Sequence, residues 1–173
     1  MSGALREGLA LIEPYVAAYG VLAVFLIIYL ESLGLPLPGE SALVAAGVLS
    51  ARGDLGIAPA LLAVFLGAVL GDGTGYWIGR VGGRPLLRRF GPYLKLTPER
   101  LDRLERLFRE RGAWIVATAR FVVVLRQLNG IVAGSVAMPW PCFLLANALG
   151  AALWTAAWGG GSYLFADMLT AGR

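Results

Sequence analysis

The sequence predicts an all-α polytopic membrane protein: an inverted repeat of re-entrant helical hairpin plus transmembrane span, with an amphipathic helix on the cytoplasmic surface between the halves. Three observations lead there. The 173 residues are 58% hydrophobic with a mean hydropathy of +0.71, above the roughly 45–50% apolar content of soluble domains. The apolar runs come in two lengths, short ones near ten residues and long ones above twenty. The basic residues are concentrated: residues 80–111 hold ten basic and four acidic side chains, although the whole chain carries only +4. Such a block marks a cytoplasmic loop. The length favours a single membrane domain over 1–173.

Taken in order, residues 8–19 mix apolar residues with Glu13 and Pro14 and predict an interfacial lead-in helix. Their apolar run leads straight into the body of the chain, so no cleavable signal is expected. Residues 21–30 are wholly apolar. After Glu31 comes SLGLPLPGES, 32–41, whose two Gly and two Pro leave no room for a regular helix. Residues 42–51 are apolar again, ahead of the polar turn Arg52-Gly53-Asp54. An arm of that size makes roughly 15 Å of helix, half of the ~30 Å hydrocarbon core. We therefore expect 21–51 to be a re-entrant hairpin with its broken tip near the midplane. The competing reading has 14–31 crossing outright and 32–41 as an outer loop.

Residues 56–79 predict a full span carrying Asp72, and the basic cytoplasmic loop 80–111 follows. Within it, Thr97-Pro98-Glu99 combines an N-cap, a proline at the first helical position and an acid beside the dipole. Leu101, Leu104, Leu107 and Phe108 then line one face of a helix lying on the inner leaflet, with arginines that read as anchors. Residues 113–138 predict the second hairpin: an arm over 113–124, an interruption at Arg126-Gln127-Leu128-Asn129-Gly130, and a return arm over 131–138. Pro139 and Pro141 bracket a turn into the second full span, 140–165.

The halves echo each other. Val44-Ala-Ala-Gly47 resembles Ile131-Val-Ala-Gly134, and Ala68-Val-Leu-Gly71 resembles Asn147-Ala-Leu-Gly150. One span separates the hairpins, so they would enter from opposite faces. Paired broken helices of that kind mark binding sites at the midplane of transporters. Irregular backbone at membrane depth also needs a protein lining or a wet cavity.

Five ionisable residues fall at that depth: Glu31, Glu40, Asp72, Arg120 and Arg126. A charge there costs about 2.5–3.5 kcal/mol on insertion scales, and guanidinium is suited to clamping phosphate or carboxylate. The expected site is an anion clamp of Arg120 and Arg126, with Glu31 and Glu40 pairing them when no ligand is bound. Helix N-termini near Gly39–Ser41 and Asn129–Ile131 would add backbone N–H donors. Arg120 and Arg126 would point about 120° apart on an unbroken helix; a break near Leu125–Gln127 lets both face one cavity. Gln127 and Asn129 are softer ligand candidates. Glu31, Glu40 and Asp72 are candidates for proton coupling, with Asp72 equally able to reach Arg80 or water. The alternative is that the charges cancel in two buried ion pairs, which are poor stabilisers.

Other residues read as structure. Asn147 serves as well for helix–helix bonding as for a ligand. Trp77, Trp140 and Trp154 suit interfaces or packing. Gly67, Gly71, Gly75 and Gly79 form a small-residue seam for helix packing or for homodimerisation. Cys142 is the lone cysteine and is expected to face a neighbouring helix. The absence of His removes the commonest metal ligand and general base, so no metal, cofactor or enzymatic chemistry is expected. The basic patch is flanked by membrane segments, which argues against nucleic acid as partner.

The stretches Glu31-SLGLPLPGE-Ser41, Leu70-GDGTGYWIGR-Val81 and Gly112–Trp154 resemble the DedA family, also described as VTT or SNARE-associated membrane proteins. The specific part is Arg120-Phe, four residues, Arg126, followed by Ala-Gly, Met-Pro, Phe, Asn, Gly and Trp at these spacings. The resemblance implies a translocase in the bacterial inner membrane that moves lipid-linked phosphates, notably undecaprenyl phosphate, or phospholipids, in some members using proton motive force. It implies that the family's functional acids and arginines correspond to Glu31, Glu40, Arg120 and Arg126. The family's second acid is often Asp, whereas here it is Glu40. A phospholipid scramblase and a proton-coupled transporter of small ions or solutes are the rival functions.

Overall fold

The computed structural model describes residues 19–90 and 97–171. The expected lead-in helix over 8–19 lies almost wholly outside them. The described part of α1 runs Tyr19–Ser32. Then follow α2 (Gly39–Ala51), α3 (Ile57–Phe90), α4 (Pro98–Ala119), α5 (Val123–Ser135) and α6 (Trp140–Trp154). A π-helical stretch, Thr155–Gly160, joins α6 without interruption to α7 (Gly161–Ala171). Two continuous helices are long and apolar enough to cross a bilayer, Ile57–Gly83 and Trp140–Met168. Their outward stripes, Leu62, Leu66 and Leu70 on α3 and Leu145, Leu149 and Leu153 on α6, are exposed and wholly apolar, as a lipid-facing surface requires.

The first break is where Pro and Gly put it, but shorter than 32–41: α1 carries Glu31 and Ser32, and α2 starts at Gly39. Pro38 sits in the N-cap position and cannot cap with a side chain. The carboxylate of Glu31 reaches over from α1 and accepts the Gly39 N–H at 3.3 Å. A Cβ on Gly39 would collide with that carboxylate.

The second break corrects the reading of the sequence. It falls at Arg120–Val122, ahead of the polar run, and α5 passes unbroken through Arg126, Gln127, Leu128, Asn129 and Gly130. Arg, Gln and Leu are good helix formers, and polarity alone breaks nothing. The chain is instead extended at Val122 (φ −120°, ψ 115°), the first of three β-branched residues. Consequently Arg120 caps α4, Arg126 sits in the first turns of α5, and no helix begins at Asn129–Ile131. The surface helix and the arm after it follow each other over Pro98–Ala119 and meet in a kink at the non-helical Arg111 (φ −135°, ψ 27°), where the sequence divides them. Thr97 caps it as the sequence suggests, accepting the Arg100 N–H at 3.4 Å. The Thr97 hydroxyl, and then the helix backbone, hold the exposed Glu99 carboxyl below its ordinary pKa. Phe108 is buried and Leu107 exposed; the side chains of Leu101 and Leu104 are outside the description.

The short helices of each half pack on the long helix of the other. α2 lies on the π segment and α7, and α5 lies on α3. The glycines of the two sequence echoes all sit at close contacts between helices. A Cβ on Gly47 would strike Ser162, and one on Gly134 would strike the Tyr76 carbonyl. Gly71 abuts the Tyr29 carbonyl of α1, and Gly150 the Ala117 carbonyl of α4. The small-residue seam of α3 is therefore used within the chain: Gly67 and Gly71 against α1, Gly75 and Gly79 against Ile131 of α5. Cys142 does not face a neighbouring helix but is exposed, because Phe143 and Ala146 take the inward face of α6.

Two apolar clusters result. One gathers Val24, Ile28, Leu43, Val64 and Ala68 with Trp154. The other gathers Tyr76, Val116, Leu128, Val132 and Phe143. On α3, Asp72 lies one turn from Ala68 and one from Tyr76; on α6, Asn147 lies between Ala146 and Ala151. A polar layer thus separates the clusters, crossing the first long helix near its middle at Asp72 and the second about two turns from its start at Asn147.

Candidate functional site

The polar layer holds two ion-pair centres. In the first, Arg126 Nη2 donates to Glu31 Oε1 at 2.6 Å and Nη1 donates to Glu40 Oε1 at 3.1 Å. One guanidinium therefore ties the last turn of α1 to the first turn of α2. The side chains of Arg126 and Glu31 are 3% and 2% exposed, whereas that of Glu40 is 45% exposed. Glu31 also binds the Gly39 N–H, so it occupies the positive end of α2 that an external anion would otherwise use. The indole of Trp154 packs over the guanidinium, 5.2 Å from its carbon to the ring centre.

In the second centre, Arg120 Nη2 donates to Asp72 Oδ2 at 2.5 Å, to Asn147 Oδ1 at 3.0 Å and to the Ala68 carbonyl at 3.2 Å. Asn129 Nδ2 donates to the Val116 carbonyl at 3.3 Å and to Asp72 Oδ2 at 3.5 Å. Asn147 Nδ2 donates to the Val69 carbonyl at 3.3 Å. This centre is closed: the Arg120 and Asp72 side chains are each 1% exposed.

The structure therefore brings Glu31, Glu40 and Arg126 together, and places Arg120 with Asp72 rather than with either glutamate. Asp72 is fully buried and turned away from the exposed Arg80. Asn129 joins the Arg120 centre. Gln127 is half-buried on α5, its carbonyl against Gly34 in the first break. Sequence reasoning left Asn147 open between helix–helix bonding and a ligand role, and gave Trp154 only a structural one. The signal for Asn147 was an amide at membrane depth; for Trp154 there was none, since an indole in an apolar helix reads as packing.

Among the described residues, several polar atoms in or near this layer are buried without a hydrogen-bond partner: Asp72 Oδ1, Arg120 Nε, Arg126 Nε, Asn129 Oδ1, Trp154 Nε1 and, next to it in sequence, Thr155 Oγ1. Proteins satisfy nearly all such atoms with protein, water or ligand, and this group is gathered around the two centres. Among the described residues, no three His, Cys, Asp or Glu side chains are grouped to hold a metal ion.

An all-helical membrane protein with buried ion pairs where helix breaks meet its long apolar helices is the class this geometry defines. The chain belongs to the VTT-domain family, the DedA family: the family model matches residues 37–164. It is 46% identical over 138 residues to an uncharacterized membrane protein of Synechocystis sp., covering 80% of this chain and 63% of that protein. It is 34% identical over 119 residues to undecaprenyl phosphate transporter A of Bacillus subtilis, covering 69% and 60%. It is 32% identical over 141 residues to an alkaline phosphatase-like protein of Lactococcus lactis, covering 79% and 66%. The chain thus spans under two thirds of the length of these relatives. No solved structure matches it significantly.

Proposed function

We propose that this protein is a lipid transporter of the bacterial inner membrane that moves an anionic lipid phosphate, undecaprenyl phosphate before others, through the buried Arg126 and Arg120 centres, without catalysing a covalent reaction. The observation that carries the reading is one guanidinium held by two carboxylates from either side of a helix break, one carboxylate half-exposed. A phosphate oxygen offers Arg126 the same acceptor chemistry as Glu40, so ligand and glutamate can exchange at Nη1. The named transporter among the relatives supports the lipid.

Charge counting supports proton coupling. With every group ionised, the five residues sum to one negative charge, two arginines against Glu31, Glu40 and Asp72. A phosphate entering that layer is repelled unless a carboxylate is neutralised or swings away. Glu40, half-exposed and bonded to Arg126 through one oxygen, is the acid positioned to do so. Asp72, held by Arg120 in the closed centre, keeps the second charge fixed.

We read the breaks at 33–38 and 120–122 as tips of re-entrant hairpins in an inverted repeat, with a multi-pass topology. The reciprocal packing of α2 on α7 and α5 on α3, through glycines at matching sequence positions, supports this. Alternating exposure of the polar layer then amounts to one half rocking on the other.

The test is reconstitution of the purified protein in liposomes with a labelled polyprenyl phosphate on one leaflet and labelled phospholipid as competitor. The expected result is flipping of the polyprenyl phosphate, accelerated at acidic pH, and its loss in Arg126→Ala protein that still inserts. Equal flipping of both lipids would favour a scramblase. Wild-type flipping by Arg126→Ala would overturn the clamp.

A further inference from the structure

Packing explains the ring of Trp154 but not its N–H. The ring is 1% exposed and belongs to the apolar cluster with Val24, Ala42 and Leu43. Its Nε1–H has no hydrogen-bond partner, and neither has the Nε–H of Arg126, whose guanidinium lies against the same ring. Glu31 and Glu40 take the terminal nitrogens of that guanidinium and leave Nε. The next residue, Thr155, is buried with an unpartnered hydroxyl, and there the helix turns from α to π. Buried donors are rarely left unpaired in native proteins, and π segments inserted in α-helices recur at functional sites.

We propose that Trp154 is a ligand-binding residue of the Arg126 centre, its indole N–H donating beside Arg126 Nε–H to the oxygens of a bound phosphate. The proposal rests on the anion-site reading above and gives that site a means of selection. Neither nitrogen can accept a hydrogen bond. A pair of pure donors suits an oxyanion, which only accepts, and gains less from a hydroxyl or an ammonium headgroup. The indole face against the guanidinium fixes the orientation of both donors, and the π stretch sets the angle at which α6 presents them.

The test uses the full chain in phosphatidylcholine nanodiscs, with a short-chain polyprenyl monophosphate as probe and the matching polyprenol as neutral control. Trp154→Phe keeps an aromatic face over Arg126 and deletes the donor. Benzothienylalanine at position 154, which replaces only the N–H by sulfur, serves if the phenylalanine variant fails to fold. The expected result is monophosphate binding weakened roughly ten- to a hundredfold in both variants, as for loss of a hydrogen bond to a charged group, with polyprenol binding unchanged and, for the isosteric benzothienylalanine, thermal unfolding unchanged too. Undiminished monophosphate affinity in either folded variant overturns the role of Trp154 and leaves the anion site standing. Wild-type protein that fails to prefer monophosphate over polyprenol removes the anion site, and this proposal with it. Competition by inorganic phosphate in the same assay assigns the site to the free anion; its failure to compete assigns it to the lipid-linked one, and the donor role holds in both.

Discussion

The two ion-pair centres should respond very unequally to loss of one acid. Asp72→Asn keeps the shape of the side chain but leaves the Arg120 charge without a counter-charge in a site where both partners are 1% exposed. Removing one member of a buried pair costs about 3–5 kcal/mol. For a chain of this size, each kcal/mol lowers the midpoint of thermal unfolding by roughly 2–4 °C, so the expected drop is about 6–20 °C. Glu40→Gln removes a 3.1 Å contact from a half-exposed side chain, and Arg126 still holds Glu31 at 2.6 Å. Its cost should be about 1 kcal/mol or less. Adding Arg120→Met to Asp72→Leu removes both charges and should recover most of the lost stability, since an apolar replacement of a buried pair is often neutral. The assay is thermal unfolding in a fixed detergent, with lipid flipping measured on the same preparations. There Glu40→Gln should change the rate of lipid flipping far more than it changes stability. If Asp72→Asn melts with the wild type, or Glu40→Gln falls as far as Asp72→Asn, the division into a structural and an exchangeable centre is wrong.

Other predictions test the frame and the chemistry. Gly130→Ala or Gly134→Ala places a methyl against the Asp72 or Tyr76 carbonyl where α5 lies on α3; each should destabilise by about 1–3 kcal/mol, read from the unfolding midpoint. Arg126→Lys should flip lipid poorly, because an ammonium cannot bridge Glu31 and Glu40 with the fixed fork of the guanidinium; full activity would reduce Arg126 to charge balance. Tyr76→Phe deletes the hydrogen bond to the Met138 carbonyl at 2.5 Å and should cost about 0.5–1.5 kcal/mol with flipping retained. With the exposed Cys142 replaced by Ser, a cysteine at Asp54 should label from outside and one at Arg100 from the cytoplasm; the reverse pattern would invert the topology.

Where local chemistry constrains the backbone, the sequence was readable. Pro36, Pro38 and the flanking glycines break the first hairpin because a missing N–H and a fixed φ act without regard to the rest of the fold. Thr97 caps α4 and Pro98 opens it for the same kind of reason. The two long spans follow from run length, and the charges at depth were visible as exceptions to it. The second break was not readable. A polar run looked like an interruption, yet α5 carries it intact, because Arg126 and Asn129 find partners on other helices.

Composition and local backbone rules thus determined on their own that this chain is helical, belongs in a membrane and carries charges the bilayer disfavours. Which acid neutralises which arginine was settled only by tertiary structure. Arg120 is six residues from Arg126 but meets Asp72, while Arg126 meets Glu31 and Glu40. Those pairings span 48 to 95 residues of chain. They depend on how closely glycines let α3 approach α1 and α5, a distance set by packing between helices and carried by no local signal.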